Sequence, residues 1–526
     1  MTLSKKKIRR ELVSSYQKIK ESTFDFDRIS QYFKNKSHQD ISKVVSDRTF
    51  QDLDLDEFFM LADRTTSRVG QQVLYNKIRS INFNTDISKQ ERLIDFYKMN
   101  EKERLDSQIL LHKLSKPTAF YISNLFQDAH VSRPKWYGII KPLSIISLLF
   151  TVLIPFYPVF ALLLLTVVTI NAVIHFVNKS NLMVYLKSLP ELIKLIYVSE
   201  ALGKRKECKA YYQPVKGDLE SIKKIKYKIS FFQEHGGIAN DLTAISTALL
   251  EIIKMMYLLE PIFFFSALKT LETKRKEIEN IFNFVGQIDC CISLAGFRES
   301  IDGDWSHPQF KTEHQGITAK EIYHPLIHNP TANSIEVTSK SVLLTGSNMS
   351  GKTTFIRTIG INFIASATLN TCFAKEFKLR PLKVFTAVRI SDDLLNDKSY
   401  YQEEVLTIKE MLEASRNGDG LFLLDEVFKG TNTIERVAAG KAVLNHLSKN
   451  DNIVFVSTHD VELSNLLSDY FDSYHFCELI NKSNVSFDYL LKKGKLKEGN
   501  AIKILEANGY PNVVIDDAKR VVDSLS

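Results

Sequence analysis

The pattern of apolar and polar positions changes character several times along this chain. Residues 1–54 are polar and mixed in charge, which predicts short helical pieces. From Leu55 to Arg79, the residues Phe58, Leu61, Val69, Val73, Leu74 and Ile78 recur at helical spacing, and residues 86–130 continue with charged faces and a Leu/Ile stripe. Residues 180–300 have the same helical texture. Within them Leu242–Leu268 is strongly apolar but interrupted by Glu251, Lys254 and Glu260, which predicts protein core. The charged segment Leu271–Glu279 leads into Ile288–Phe297. From Ile317 the texture switches. Short apolar runs at Ser341–Thr345, Val384–Ile390, Leu421–Leu424 and Ile453–Ser457 alternate with helical stretches, the pattern of a mostly parallel, helix-flanked sheet.

One block stands apart. From Pro142 to Asn178 there is no Asp, Glu, Lys or Arg, and Pro155-Phe156-Tyr157-Pro158 divides the block in two. The second half, Val159–Val177, is long enough to cross a bilayer at about 1.5 Å per residue. The first half, Leu143–Ile154, reaches that length if it begins near Trp136 and Lys141 snorkels. Trp136, Tyr137 and Tyr157 suit interfaces. Arg133, Lys135, Lys141, Lys179 and Lys187 flank the outer ends, and the central turn carries no basic residue. The charge rule places both ends in the cytoplasm. The expectation is a membrane hairpin over 136–178, in the inner (cytoplasmic) membrane with the rest of the chain in the cytoplasm. The alternative is a buried helical hairpin in a soluble cytoplasmic protein.

Composition adds modest limits. A length of 526 residues suggests two to four domains, and 44% hydrophobic with 25% charged residues suits buried cores. The net charge of +8 permits DNA or anionic lipid as partner without demanding either. The cysteines (Cys208, Cys290, Cys291, Cys372 and Cys477) are odd in number and lack zinc spacing, which points to a reducing compartment. Lys5–Arg10 is basic, but no apolar secretory core follows it. The basic cluster Lys223–Lys228 reads as a solvated helix face. Trp305-Ser-His-Pro-Gln-Phe-Lys311 matches a streptavidin-binding tag but lies mid-chain, and is read as native sequence.

The chemistry concentrates after residue 340. Gly346-Ser347-Asn348-Met349-Ser350-Gly351-Lys352-Thr353 fits G-x-x-x-x-G-K-[ST], between a predicted strand ending at Thr345 and a predicted helix running from Thr353 to Ala367. Glycines there let backbone N–H groups turn towards phosphate oxygens, and the helix N-terminus adds positive potential. Lys352 would reach the β- and γ-phosphates and Thr353 would hold Mg²⁺. Leu421–Leu424 ends in Asp425-Glu426: Asp425 would support the Mg²⁺ shell, and Glu426 would polarise the attacking water. Ser457-Thr458-His459-Asp460 follows another apolar strand. A histidine there lies on the ligand edge of an open α/β sheet and could sense a γ-phosphate, although in isolation it reads as a surface histidine.

Together these segments resemble the ATPase domain of the MutS family, itself related to ABC-type ATPases. Thr345–Thr354, including Asn348-Met349, is similar to the family's phosphate loop, so Gly346, Ser347, Asn348, Met349, Ser350, Gly351, Lys352, Thr353 and Thr354 are the implied ATP contacts. Asp425-Glu426-Val-Phe-Lys-Gly430-Thr431-Asn432-Thr433 is similar to its Walker B segment and the loop after it. Asp392-Asp393-Leu394 with Ser399-Tyr-Tyr-Gln-Glu-Glu404 resembles its signature region, where the serine completes the ATP site of a partner subunit; Ser399 inherits that role. Ser457-Thr458-His459 resembles its switch histidine. His324-Pro325 resembles the approach to the domain, with His324 a candidate adenine contact, and Gly499–Lys519 resembles the closing helices. Upstream, Leu61-Ala-Asp63-Arg64-Thr65 with Gly70 and Leu74 is similar to the start of the family's helical lever domain, and Leu271–Phe297 to its return.

The implied organisation is an N-terminal helical segment (1–54), a helical core and lever domain (55–300) interrupted by the apolar hairpin, and an ABC-type α/β ATPase domain (301–526). The implied function is ATP hydrolysis with Mg²⁺ in a homodimeric sandwich that moves the lever helices. Two departures argue against mismatch reading. Too few residues precede the lever-like segment for a mismatch-reading domain and a connector. The family's Phe-x-Glu reader also has only incidental matches, at Phe232-Gln-Glu234 and Phe297-Arg-Glu299. A soluble member binding branched or mismatched DNA is the alternative.

Overall fold

The computed structural model describes residues 3–21, 23–36, 44–83, 86–128, 135–229, 241–313, 316–347, 349–389, 400–481, 484–496, 502, 505–506 and 509–525. The chain forms two compact units. One comprises residues 1–37, 62–76 and 86–300; the other comprises 38–61, 77–85 and 301–526. The stretch expected as a single N-terminal segment, 1–54, is therefore divided between the two.

The first unit is helical. At its centre is helix Arg275–Glu299, which is buried almost continuously from Phe284 to Arg298. Asp289, fully buried on this helix, accepts hydrogen bonds from Thr66 N (2.9 Å), Ser67 N (2.7 Å) and Ser67 Oγ (2.6 Å). These bonds fix the Asp63–Ser67 turn, and Ser67 Oγ in turn accepts the Gly70 N–H at 2.9 Å, capping helix Arg68–Ile78. Asp63 closes the turn from the other side, accepting from Thr65 N (2.9 Å), Gln71 Nε2 (2.8 Å) and Lys20 Nζ (2.8 Å). The lever-like motif is thus a buried polar network, which requires every member to be bonded. Gly70 has no room for more: a Cβ there would lie 2.2 Å from Asp289 Oδ2. Phe297 is core and Arg298 pairs with Glu91 at 2.6 Å, so this Phe-x-Glu match is structural; Phe232-Gln-Glu234 lies outside the described residues. The side chains of Lys224–Lys228 also lie outside them, whereas Lys223 is exposed.

The apolar block forms a helical hairpin, Ile140–Leu153 and Val159–Gly203, turning at Pro155–Pro158. Its second arm does not stop at Val177 but runs on as one continuous helix. Among the described residues, Val159–Val177 is the helix segment long and apolar enough to cross a membrane. The hairpin is inside out relative to a water-soluble bundle. Ile145, Leu148, Val152, Phe156, Leu162, Leu165, Val173 and Phe176 are exposed, while Ser147, Asn171 and His175 are buried. Asn171 Nδ2 donates to Ser147 Oγ at 2.9 Å and to Met256 O at 2.7 Å, and Tyr257 OH donates to Thr151 Oγ1 at 3.1 Å. The core expected over Leu242–Leu268 holds for its second half, where Phe264, Phe265 and Leu268 are buried. In helix Asp241–Met256, however, Leu249, Leu250 and Ile252 are exposed. Charges within that stretch mark a helix face here, and do not mark core.

The second unit is α/β. Its strands are β1 (Gln309–Phe310), β2 (Ile317–Ile322), β3 (Asn333–Val337), β4 (Ser341–Thr345), β5 (Glu376–Leu379), β6 (Lys383–Ala387), β7 (Gly420–Asp425), β8 (Ile453–Ser457), β9 (Phe471–His475), β10 (Glu478–Asn481), β11 (Asn484–Phe487) and β12 (Lys492–Lys493). The main sheet has the order β12-β9-β4-β8-β7-β6, parallel throughout except for β12. Its inner strands are continuous apolar runs because both faces are covered. A smaller sheet, β1-β5-β2-β3, includes the tag-like segment: Gln309 and Phe310 pair with β5, and Ser306 bridges Cys372. All five cysteines are free thiols.

Residues 44–61 pack on this unit. Asp52 accepts the N–H groups of Val388 (3.1 Å) and Arg389 (2.8 Å), just past β6. Asp54 pairs with Arg357 at 3.0 Å and with Arg389 at 2.6 Å, Arg48 pairs with Glu403 at 2.7 Å, and Leu53 fills the space over Gly360.

Gly70→Ala should therefore destabilise the helical unit by about 1–3 kcal/mol through overpacking. Gly217→Ala, with open space around its Cβ within helix Lys216–Ile229, should be neutral or slightly stabilising. Thermal unfolding of the two variants side by side checks the contrast.

Candidate nucleotide site

The C-terminal ends of β4, β7 and β8 lie level, with Leu344 opposite Ser457 and Asp425 opposite Ser457. The chain leaves β4 into the glycine loop. Gly346 adopts φ +149° and Gly351 φ +109°, in the region where glycine is favoured, and Met349 takes φ +68° at the exposed crown. A Cβ on Gly346 would meet Ser350 Oγ at 2.8 Å and Phe476 O at 2.9 Å, so the first glycine is required by close approach as well. Helix Lys352–Leu369 then starts with its N-terminus directed at the loop, where unpaired N–H groups favour an anion.

Lys352 is buried, and its Nζ donates to Gly346 O and Ser347 O, both at 2.8 Å, with His459 Nε2 3.4 Å away. Burial lowers its pKa, opposed by the carboxylates of Glu426 and Asp425. Thr353 Oγ1 donates to Asp425 Oδ2 at 2.9 Å, and Ser457 Oγ donates to Asp425 Oδ1. One carboxylate thus spans the loop helix and the neighbouring strand.

Glu426 sits at φ +57°, a left-handed conformation uncommon for glutamate, held by its N–H to Ser457 O at 3.0 Å. Its Oε1 is 2.9 Å from His459 Nε2 and its Oε2 is 3.5 Å from Lys429. The His459 hydrogen bond, opposed by burial and aided by Lys429, pulls its pKa down to about 2, so it is a carboxylate at neutral pH. Beyond it, Phe428 N donates to Glu404, Asn432 caps helix Thr433–Leu447 through Glu435 N at 3.0 Å, and Arg436 grips Asp460 with two bonds of 2.9 and 2.7 Å. That bidentate pair ties the loop after β7 to the His459 loop after β8.

A cleft of about 620 Å³ opens from the loop. Ser347, Met349, Ser350, Gly351, Lys352, Thr353 and Thr354 line one side together with Asp425 and Glu426; His324, Pro330, Phe476 and Tyr489 contribute elsewhere. His324 is buried, and burial, with Arg357 nearby, lowers its pKa to about 4, leaving a neutral ring in the wall. Among the described residues, Ser350 Oγ has no hydrogen-bond partner and is buried beside the loop. The glycine cradle, this orphaned hydroxyl, the buried lysine and the Thr353–Asp425 oxygens suit a nucleotide triphosphate with a hard divalent cation.

The structure brings Lys352, Thr353, Asp425, Glu426 and His459 together. Asn348, Asp392, Asp393 and Ser399 lie outside the described residues. Sequence reading placed Glu404 in the signature-like segment without its bond to Phe428, and did not anticipate Arg436 or the Asp52–Asp54 contacts. Asn432 was within reach, because Asn432-x-x-Glu435 ahead of a helical run is a capping pattern.

Comparison with known proteins bears directly on this geometry. The family model for MutS domain V matches residues 342–526, which hold the phosphate loop, Asp425-Glu426 and His459. Residues 342–526 belong to the MutS domain V family. Similar proteins include the DNA mismatch repair protein MutS of Aquifex pyrophilus, 27% identical over 48% of this chain and 30% of that protein. The proteins of the same name from Clostridium kluyveri (23% identical, 62% of this chain, 39% of that protein) and Clostridium novyi (24%, 60% and 36%) are also similar. The matches span well under half the length of these relatives. Domain V is the ATP-binding domain of MutS proteins, and this chain carries it.

Gly346→Ala should distort the loop against Ser350 and Phe476 and lower nucleotide affinity at least about tenfold, with the overall fold retained. Equilibrium binding of a fluorescent ATP analogue, with circular dichroism as the folding control, checks this.

Proposed function

We propose that this MutS-family protein binds and hydrolyses ATP and is held in a membrane by its helical hairpin. The observation that carries the first part is the convergence of Lys352, Thr353, Asp425, Glu426 and His459 on one edge of a parallel sheet. Bound Mg²⁺ would neutralise phosphate charge and so assist transfer of the terminal phosphoryl group to water. Thr353 and Asp425 supply oxygens for it. Lys352 exchanges two neutral carbonyl acceptors for phosphate oxygens, which are stronger partners for an ammonium. Glu426 orients water once His459 releases its carboxylate, and His459 turns its Nε2 to the terminal phosphate. Low basicity in the resting pair keeps Glu426 ionised and ready to accept a hydrogen bond from water. Two subunits would face each other across two nucleotides, with Ser399 completing the partner's site, and their closing would move the helical levers.

The second part rests on the inverted hairpin. Its apolar side chains stand exposed along both arms, and a contiguous exposed apolar patch marks a membrane or protein contact, while the arm Val159–Val177 matches the thickness of a bilayer core. With both ends facing the cytoplasm, the ATPase domain lies there too. Mismatch reading is not part of this proposal. A soluble role on branched or mismatched DNA is the second reading, favoured by the names of the similar proteins and by the +8 charge; steep salt dependence of duplex binding would be its mark.

Lys352→Ala should weaken ATP binding, and Glu426→Gln should bind ATP normally while lowering turnover by about 10²-fold or more. Steady-state phosphate release is the measurement, and wild-type rates in Glu426→Gln would remove it as the water-orienting base. Alkaline carbonate extraction of membranes tests the hairpin: the chain should remain in the pellet, and its release to the supernatant would favour the soluble reading.

A further inference from the structure

We propose a divalent transition-metal site at the foot of the hairpin, formed by His175, Glu251 and Glu260. The three residues come from three helices, Val159–Gly203, Asp241–Met256 and Leu259–Glu272. One ligand atom from each lies within 4.8 Å of the other two. His175 Nδ1 and Glu260 Oε2 are 3.4 Å apart, the separation that two bonds of about 2.1 Å to one tetrahedral ion produce. His175 and Glu260 are buried, and Glu251 closes the set from the exposed side.

The surroundings are built to hold this arrangement. Buried Leu258 adopts φ +50°, so the turn between the second and third helices is constrained, and it delivers Glu260 to the first helical turn, where the helix N-terminus favours a carboxylate. A second, independent observation is Asn171, one turn before His175 on the same face. Its amide nitrogen is spent on Ser147 and on Met256 O, between the two glutamates in sequence, while its Oδ1 is fully buried with no hydrogen-bond partner among the described residues. That oxygen can accept a hydrogen bond from metal-bound water, the outer contact that ligand sets commonly have.

One imidazole with two carboxylates suits Zn²⁺, Mn²⁺ or Fe²⁺; Ca²⁺ and Mg²⁺ prefer oxygen ligands alone. Lys254, 2.9 Å from Glu251 Oε1, is a cation in competition for that carboxylate and would have to share or release it. The site would clamp the hairpin arm to the next two helices at the point where exposed apolar surface gives way to packed core. This proposal does not depend on the ATPase reading.

The test uses the full chain in detergent, stripped with chelator and free of nucleotide, in an Asp425→Asn background so that the phosphate-loop metal position is silent. Zn²⁺ and Mn²⁺ are added separately; bound metal after gel filtration and the thermal midpoint are measured. The expected result is about one ion per chain for at least one of the two metals and a raised midpoint, with Glu251→Gln weakening binding tenfold or more and losing the shift. Glu251 is exposed, so this variant stays informative if His175→Ala fails to fold. Absence of stoichiometric binding, or binding and shift unchanged in Glu251→Gln, would overturn the site.

Discussion

Everything in the α/β unit depends on the level at which parallel strands end. β4, β7 and β8 finish side by side, so three separate pieces of sequence place their first loop residues on one edge. The Asp425 carboxylate fixes that alignment, accepting one hydroxyl from the loop helix and another from the adjacent strand. A hydrogen bond to an ionised acceptor is worth about 1.5–3 kcal/mol, and losing one partner here would leave a partly buried charge poorly compensated. Glu426 follows in a left-handed conformation that turns its side chain towards His459 and away from continuing the strand. Such strain persists where surrounding bonds over-determine it, and the Ser457 carbonyl and the His459 ring do so here.

How much of this was legible in the sequence follows from how local the chemistry is. The phosphate loop can be read because glycine, lysine and threonine must stand at fixed offsets to wrap a phosphate, and the strand ending in Asp425-Glu426 can be read because a buried run has to end at the sheet edge. The docking of residues 44–61 could not be read. Asp52 meets Val388 and Arg389 across more than three hundred residues, and a short helix with two acids carries no pattern that names its acceptors. Arg436 and Asp460 are equally ordinary until the fold brings them together. The interrupting charges predict core correctly around buried Glu260 but not around Glu251, which lies on a helix that also exposes Leu249, Leu250 and Ile252.

The helical unit shows two opposite solutions to burying polar groups. Around Asp289, a carboxylate in the centre of a protein core is satisfied by two backbone N–H groups and a hydroxyl from one turn, and Gly70 is kept small to let that turn approach. The burial still pushes the Asp289 pKa up to about 6, because removing a charge from water outweighs those donors. At the hairpin, polarity is inside because the outside is apolar. Ser147, Thr151, Asn171 and Tyr257 bond to one another or to backbone between helices, the arrangement in which side-chain hydrogen bonds hold helices together when the surrounding medium cannot compete for them.

The hairpin's stability follows from which solvent it meets. In water, side chains such as Leu162, Leu165, Val173 and Phe176 gain nothing on folding and invite association. In hydrocarbon, each is worth about 1.5–3 kcal/mol relative to water, so eight or ten of them together exceed the whole net stability of an ordinary domain. The buried Ser147–Asn171 contact would be a liability in a soluble core, where leucine would fill the space better. It becomes a specificity device in lipid, fixing which faces of the two arms meet. The same asymmetry explains why the second arm continues past Val177 without a break: the helix needs no cap at the boundary, because its backbone is already satisfied along its length, and the change from exposed to packed apolar residues occurs in the side chains alone.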